Sequence, residues 1–146
     1  MIRTVPVVQW EDSLYKILTD CIQGYPIFDS SEPREPDKDV AMQYVSIGEF
    51  ECTSAEAKVD VASWFIRSTV NVLSFGNDRN TVNEMLNDAV KVVTYANEKE
   101  LYTMNDYFCH EVSIGRVSCV AKKFNDTEIW QYGVVEIVAD VQQKYI

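Results

Sequence analysis

The amino-acid sequence predicts an α+β domain: a mainly antiparallel sheet of four to five strands with two helices packed on one face. Two segments have apolar residues at helical spacing, and each has a single apolar stripe to bury. Four further segments have the composition or the alternation of β-strands. Because each helix can bury its stripe only by covering one face of the sheet, the elements form two layers. The 146 residues contain no repeat and no Gly/Ser linker, so residues 1–146 are predicted to form a single domain.

The first helix is predicted at about residues 8–23. Its apolar side chains recur at helical spacing and form one stripe, made of Trp10, Leu14, Ile17, Leu18 and Cys21. Gly24 ends the helix, and Pro26 cannot continue it. We expect Ile27 and Phe28, which follow directly, to form a short edge strand.

The second helix is the clearest prediction and covers about residues 81–97. Thr81 and Glu84 have the spacing of a capping box, although Asp78 or Asn80 could cap the helix instead. The apolar stripe that follows consists of Val82, Met85, Leu86, Ala89, Val93 and Ala96.

Two strands are predicted between the helices. Residues 42–50 are rich in β-forming types, and residues 59–75 alternate between an apolar face and a wetter one that carries Arg67, Thr69 and Asn71. Residues 51–58, which join the two strands, are predicted to be an exposed, mobile acidic connection. Residues 29–39 contain seven charged residues and two prolines, so we expect a second exposed acidic loop there.

Two more strands are predicted after the second helix, at residues 107–124 and 129–141, with a turn at Asn125 and Asp126. The last strand carries apolar side chains of both parities. We therefore expect both of its faces to be covered, by the protein's own helices and by another subunit.

The charge of the chain excludes some functions. Thirteen Lys and Arg against 23 Asp and Glu give a net charge of −10. Sequence-independent binding to nucleic acid or to an anionic membrane needs a basic surface, which this composition does not supply. No apolar run approaches the ~18–20 residues that cross a bilayer. Glu11 and Asp12 come too early for a secretory signal, so the cytoplasm is the expected compartment.

No catalytic, cofactor-binding or metal-binding residues are predicted. The four cysteines lack the spacing of a zinc or redox pair and are expected to be buried, reduced thiols. Cys109 and His110 are neighbours on a strand, so their side chains should point to opposite faces and form no dyad. Asp37 and Asp39 resemble the start of a calcium loop, but Ala41 and Met42 follow where a ligand and a glycine should stand.

The order and spacing of these elements resemble a known family, the tail-completion proteins of long-tailed bacteriophages, also called tail-terminator or head-to-tail joining proteins. The resemblance covers about residues 10–141. It is carried by residues 44–49 (YVSIGE), by residues 70–74 (VNVLS) before the glycine break and second helix, and by residues 132–135 (YGVV) in the last strand. Two departures are Ala41-Met42-Gln43, where a proline-rich lead-in is usual, and Leu73, where tryptophan is common.

The resemblance implies a virion structural protein without enzymatic activity or cofactor. Such proteins form a homo-oligomeric ring, typically a hexamer, that caps the tail tube and joins it to the head connector or neck. DNA then passes through the ring without sequence-specific binding. The partners implied are other copies of this chain, the tail tube protein and the head-connector protein, and no membrane. The implied location is the head-proximal end of the tail in the virion, after assembly in the host cytoplasm.

Two sets of residues are candidates for such a role. A conduit for DNA should repel phosphates, and this suggests that part of the negative charge lines the channel, with Glu49, Glu51, Glu56 and Asp60 as candidates. Closure of a ring needs two different patches that meet. Residues 29–39, residues 51–58 and the last strand with Trp130 and Tyr132 are candidates for the subunit interface.

Two alternative functions remain open from sequence. The first is a head-closure or neck connector protein, which shares the position and the partners of a tail terminator. The second belongs to another class: a small soluble ligand-binding or enzymatic α+β domain that uses scattered carboxylates.

Overall fold

A computed structural model of the protein describes residues 2–29, 36–58, 61–123 and 127–144. It has the predicted α+β fold, with two helices and a five-stranded sheet. In chain order the elements are α1 (Val7–Cys21), β1 (Ile27–Phe28), β2 (Gln43–Lys58), β3 (Val61–Phe75), α2 (Arg79–Glu98), β4 (Tyr107–Lys123) and β5 (Ile129–Gln143).

The strands lie in the order β1-β2-β3-β5-β4. Strands β2, β3, β5 and β4 pair antiparallel, as predicted. Strand β1 is the exception, because it pairs parallel with β2, where Ile27 lies opposite Val45 and Phe28 opposite Ser46. The sheet is therefore mixed. Strand β4 forms one edge, and β2 becomes the other edge where the two-residue β1 ends.

The helices end and begin where the local chemistry requires. α1 ends at Cys21, and Gly24 follows with a φ of 108°, a backbone conformation that glycine adopts at no steric cost. α2 is capped by Asp78, one of the three predicted alternatives. Its carboxylate accepts a hydrogen bond of 2.9 Å from the backbone N–H of Asn80 and one of 3.3 Å from the hydroxyl of Thr81.

Both helices cover the same face of the sheet and enclose the main core. In the centre of this core the indole of Trp10 from α1 stacks on Tyr102 at 5.3 Å and donates a hydrogen bond of 3.1 Å to the hydroxyl of Ser68 in β3. α2 lies very close to β5 at Gly133, where a β-carbon would stand 2.8 Å from Leu86. The alternation predicted for β3 is confirmed, because Ile66, Val70 and Val72 are fully buried under the helices.

The other face of the sheet, which carries Arg67, Thr69 and Asn71, is covered by neither of the described helices and is called the open face below. At one end of the open face, side chains form a second, smaller apolar cluster; its members are Phe28, Ala41, Tyr44, Leu73, Phe75, Trp130 and Tyr132. Lys38 lies over the ring of Phe75 at 5.5 Å and forms an ion pair of 3.7 Å with Glu128. The chain before β2 therefore packs across this end of the open face.

The prediction of an acidic connection at residues 51–58 is wrong. These residues continue β2, and they pair with β3 from Phe50 opposite Ser68 to Lys58 opposite Val61. The physical reason is that β2 is an outer strand with one solvated face. Charged and polar side chains there stay in water while the backbone hydrogen bonds to β3 are made. Of the other predicted loop, residues 30–35 lie outside the described residues.

Candidate assembly surfaces

The one histidine of the chain lies on β4 and makes a structural contact. The Nε2 atom of His110 is 2.9 Å from the side-chain oxygen of Gln142 on β5. Its neighbour Cys109 is half-buried, and burial, with a further contribution from Asp140, raises the pKa of the thiol to about 11. A thiol with that pKa is protonated at neutral pH, which is the opposite of what a nucleophilic cysteine requires. The pair therefore lacks the chemistry of a Cys-His dyad.

The described part of the chain contains no group of three or more His, Cys, Asp or Glu side chains placed to hold a metal ion. A shallow groove of about 630 Å³ lies between the end of α2 and the start of β4, where its lining includes Asn97, Tyr102, Phe108, His110 and Lys144. The cation of Lys144 stands 5.0 Å over the Phe108 ring, and both residues line this groove. Within the described ranges, neither helix is long and apolar enough to span a membrane.

Two of the four acidic residues proposed to line a channel are described by the structure. Glu51 lies directly across from Arg67, on the open face, and is exposed. Glu49 is also exposed and lies in the bulge between Ile47 and Phe50. The pKa of Tyr132, which lies on the open face, is raised above its ordinary value. Burial is the larger cause, and the negative charge of Glu49 is the smaller one. The side chain of Glu56 and all of Asp60 lie outside the described residues.

The open face also carries carboxylates that were not among the sequence-based candidates. Glu136 lies opposite Thr69, and Asp140 lies opposite Phe65 on β3 and opposite Glu111 on β4. Alternation along β5 was the available signal, because Glu136 and Asp140 share the parity of Trp130 and Tyr132. The open face therefore has acidic side chains on β2, β5 and β4.

The two candidate interface residues have different surroundings. Trp130 is fully buried within the protomer, between the rings of Tyr44 at 6.0 Å and Phe75 at 5.5 Å, so it belongs to the small apolar cluster. Tyr132 is half-buried, and the ammonium of Lys122 stands 4.4 Å over its ring. Of these two residues, only Tyr132 has a side chain that a neighbouring molecule can contact. Its place in a subunit interface stays a prediction.

The outer part of β4 is the most exposed strand segment that the structure describes. From residue 115 to residue 123, every side chain except Cys119 is exposed, including the apolar Val117 and Val120. The segment also carries Arg116, Lys122 and Lys123. Sequence reasoning missed this surface, although three cations without an acid between residues 113 and 123 are unusual in a chain of net charge −10.

Comparison with known proteins identifies a solved structure of the same fold. A chain of the virion of a native gene transfer agent (GTA) particle matches with a TM-score of 0.69 and 14% sequence identity, over 96% of this chain and 99% of that chain. No family model and no curated protein matches the sequence. At 14% identity the likeness is one of fold, and it extends over nearly the whole of both chains.

Proposed function

We propose that the protein is a virion structural protein that caps the phage tail tube as a ring of six subunits and joins the tail to the head. The observation that carries the proposal is the shared fold, over 96% of the chain, with a component of a gene transfer agent virion. The tail-completion motifs of the sequence point to the same class of protein. The role is mechanical, and no bond is made or broken in it.

The surfaces of the protomer support a ring through which DNA passes. A channel wall should hold phosphates weakly, because each close Lys or Arg contact adds affinity and would slow the movement of the duplex. The open face contributes the carboxylates of Glu51, Glu111, Glu136 and Asp140 to this requirement, although the cations of Arg67 and Lys122 lie on the same face. In this arrangement the open face lines the channel and the helices face outward.

A phage or gene transfer agent that encodes this chain provides the test, by deletion of its gene and electron microscopy of the particles. A tail terminator predicts filled heads that stay separate from tails, with tails of irregular or excessive length. Expression of the intact chain from a plasmid should restore joined particles. Purified protein should also bind one end of isolated tail tubes in negative stain.

The alternatives give different particles. Tails of normal length beside heads that lose their DNA would indicate a head-closure or neck protein. Normal, infectious particles would overturn the proposal. They would leave the ligand-binding or enzymatic α+β domain as the function to be tested.

A further inference from the structure

The sheet has an unoccupied strand edge on each side. β1 takes up the outer edge of β2 only at Val45 and Ser46. Beyond that point, no strand among the described residues pairs with the outer edge of β2. On the opposite side β4 is the last strand, and its outer edge is likewise without a partner strand in the described ranges. Rows of free N–H and C=O groups of this kind are templates for pairing with another chain.

Each edge contains one regular stretch of similar length. In β2, bulges lie between Ile47 and Phe50 and between Ala55 and Lys58, and residues 50–55 between them keep an unbroken register with β3. In β4, the last bulge lies between Ile114 and Val117, and residues 117–123 pair with β5 without interruption. Six residues on one edge and seven on the other match the usual length of a strand in a sheet, about 5–6 residues.

The side chains of the two stretches carry opposite charges, although the guanidinium of Arg3 also reaches the β2 stretch and donates a hydrogen bond of 2.6 Å to the hydroxyl of Ser54. Arg116, Lys122 and Lys123 lie in or beside the β4 stretch, and Glu49 and Glu51 lie in or beside the β2 stretch. All five side chains are exposed. No described residue lies within ion-pair distance of any of these side chains, although Arg67 lies opposite Glu51 on β3 and Lys122 stands over the ring of Tyr132.

Both stretches also expose apolar side chains. Val117 is 45% and Val120 49% exposed on β4, and Phe50 is 47% exposed on β2. Large apolar side chains at an unpaired edge, beside charges of one sign, are unfavourable for an isolated subunit and are typical of a surface that becomes covered.

From these observations we infer that residues 118–123 of β4 in one copy pair antiparallel with residues 50–55 of β2 in the next copy, so that the sheet continues from subunit to subunit. This inference rests on the proposed ring and identifies the two surfaces that close it. The contact joins two different patches, as a closed ring requires.

The geometry of the sheet agrees with such a contact. β2 and β4 run in opposite directions within the protomer, so a neighbour related by rotation presents β2 antiparallel to β4. A register that places Lys122 opposite Glu51 also places Val120 opposite Thr53, and in the protomer all four residues lie on the open face. In this register the ammonium of Lys122 meets the carboxylate of Glu51 on the same face, whereas Lys123 lies opposite Phe50.

The contact staggers neighbouring subunits. Within the protomer, the register across the sheet runs from Val120 through Tyr132 and Leu73 to Tyr44 on β2. In the next copy, the β2 residue opposite Val120 is Thr53 and not Tyr44. The shift of about nine residues is ~30 Å at ~3.3 Å per residue. A stagger of this size over four strands tilts the strands steeply against the ring axis, beyond the ~35–45° that is typical of closed β-barrels.

Charge reversal tests the inference, with light scattering and sedimentation at low salt as the measurement. The pair Lys122→Glu and Lys123→Glu and the pair Glu49→Lys and Glu51→Lys should each weaken self-association by about tenfold or more, because like charges then meet. An equimolar mixture of the two double variants should associate again, since acidic β4 then meets basic β2. Lys91→Glu in α2 combined with Lys99→Glu at its C-cap is the control and should associate like the wild type.

A disulfide tests the register directly. Thr53→Cys and Val120→Cys, combined with Cys21→Ser to remove the exposed native thiol, should give a ladder of covalent oligomers on oxidation. Either single cysteine variant should give dimers at most.

The outcomes separate the inference from the proposed function. Rings that form without the ladder, or that survive both charge reversals, overturn the edge contact and leave the ring in place. Charge-reversed protein that forms rings but no longer binds tube ends would assign these edges to the tube protein, and this also overturns the inference. No association, either free in solution or at tube ends, overturns the proposed ring and the inference together.

Discussion

Gly133 of β5 lies directly beneath Leu86 of α2, and a β-carbon at position 133 would stand 2.8 Å from Cδ2 and 2.9 Å from Cγ of that leucine. Val72 of β3 closes the same space, with its Cγ2 at 2.8 Å. The glycine therefore sets the distance between the second helix and the sheet. Gly133 is also the glycine of the YGVV motif. The close packing of Leu86 and Val72 explains why this position of the motif holds a residue without a β-carbon.

Gly133→Ala should destabilise the protein. The added methyl overlaps Leu86 and Val72 in a filled core, so α2 must move or a side chain must leave its rotamer, at a cost of about 1–3 kcal/mol. Denaturant unfolding followed by circular dichroism measures the change. Gly115→Ala on β4 is the matched control, because its β-carbon would meet the nearest atom, in Glu136, at an ordinary 3.4 Å. Equal stability of the two variants would contradict the close approach of α2.

The fold could be predicted from sequence where the side-chain pattern is periodic. α2 shows a complete apolar stripe, and β3 shows a clean alternation around Arg67, Thr69 and Asn71. These two patterns predicted the two layers of the fold, with the helices on one face of the sheet. Residues 51–58 were misread because their composition is polar. In an outer strand the backbone pairing with β3 decides the structure, and no side-chain pattern records that pairing.

The candidate surfaces could be predicted only in part. Glu49 and Glu51 were selected for their charge and their place in or beside the predicted acidic loop, and the register with β3 is what places Glu51 on the open face. Trp130 was selected as an aromatic residue, but its burial depends on Tyr44 and Phe75, which are distant in sequence. The unpaired edge of β4 depends on the order of the strands, which cannot be read from any one segment.

Ser68→Ala should cost about 1–3 kcal/mol of unfolding free energy, because it leaves the buried indole N–H of Trp10 without an acceptor. In a Trp10→Phe background the donor is absent, so the same substitution should cost much less. A double-mutant cycle from denaturant unfolding gives the coupling between the two residues. An equal cost in both backgrounds would show that the hydrogen bond does not hold α1 to the sheet.

Asp78→Ala should destabilise α2 by about 0.5–2 kcal/mol, since the backbone N–H of Asn80 loses its capping acceptor. Asp78→Asn keeps a side-chain oxygen at the cap and should retain most of the stability. Glu84→Ala is the comparison that separates this cap from a capping box centred on Thr81. A larger loss of melting temperature for Glu84→Ala than for Asp78→Ala would favour the capping box.

The thiols should differ in their rate of alkylation at pH 8. Cys21 is exposed and should react first, whereas Cys109 is half-buried with a pKa raised from 9.0 to about 11, chiefly by burial and then by Asp140. Since the thiolate is the reactive form, labelling of Cys109 should rise about tenfold per pH unit until its pKa is reached. Asp140→Asn removes the negative charge and should speed the labelling.

The same shift makes stability depend on pH. The folded protein favours the neutral Cys109 thiol, so this stabilisation is present below pH 9 and is lost as the pH rises from about 9 to about 11. Cys109→Ala should remove that part of the alkaline loss of stability, as measured by thermal unfolding across the same pH range.

In the alkylation experiment, peptide mapping by mass spectrometry assigns each label to its cysteine. Faster labelling of Cys109 than of Cys21 at pH 8 would contradict its protonated, shielded environment and reopen the case for a reactive thiol beside His110.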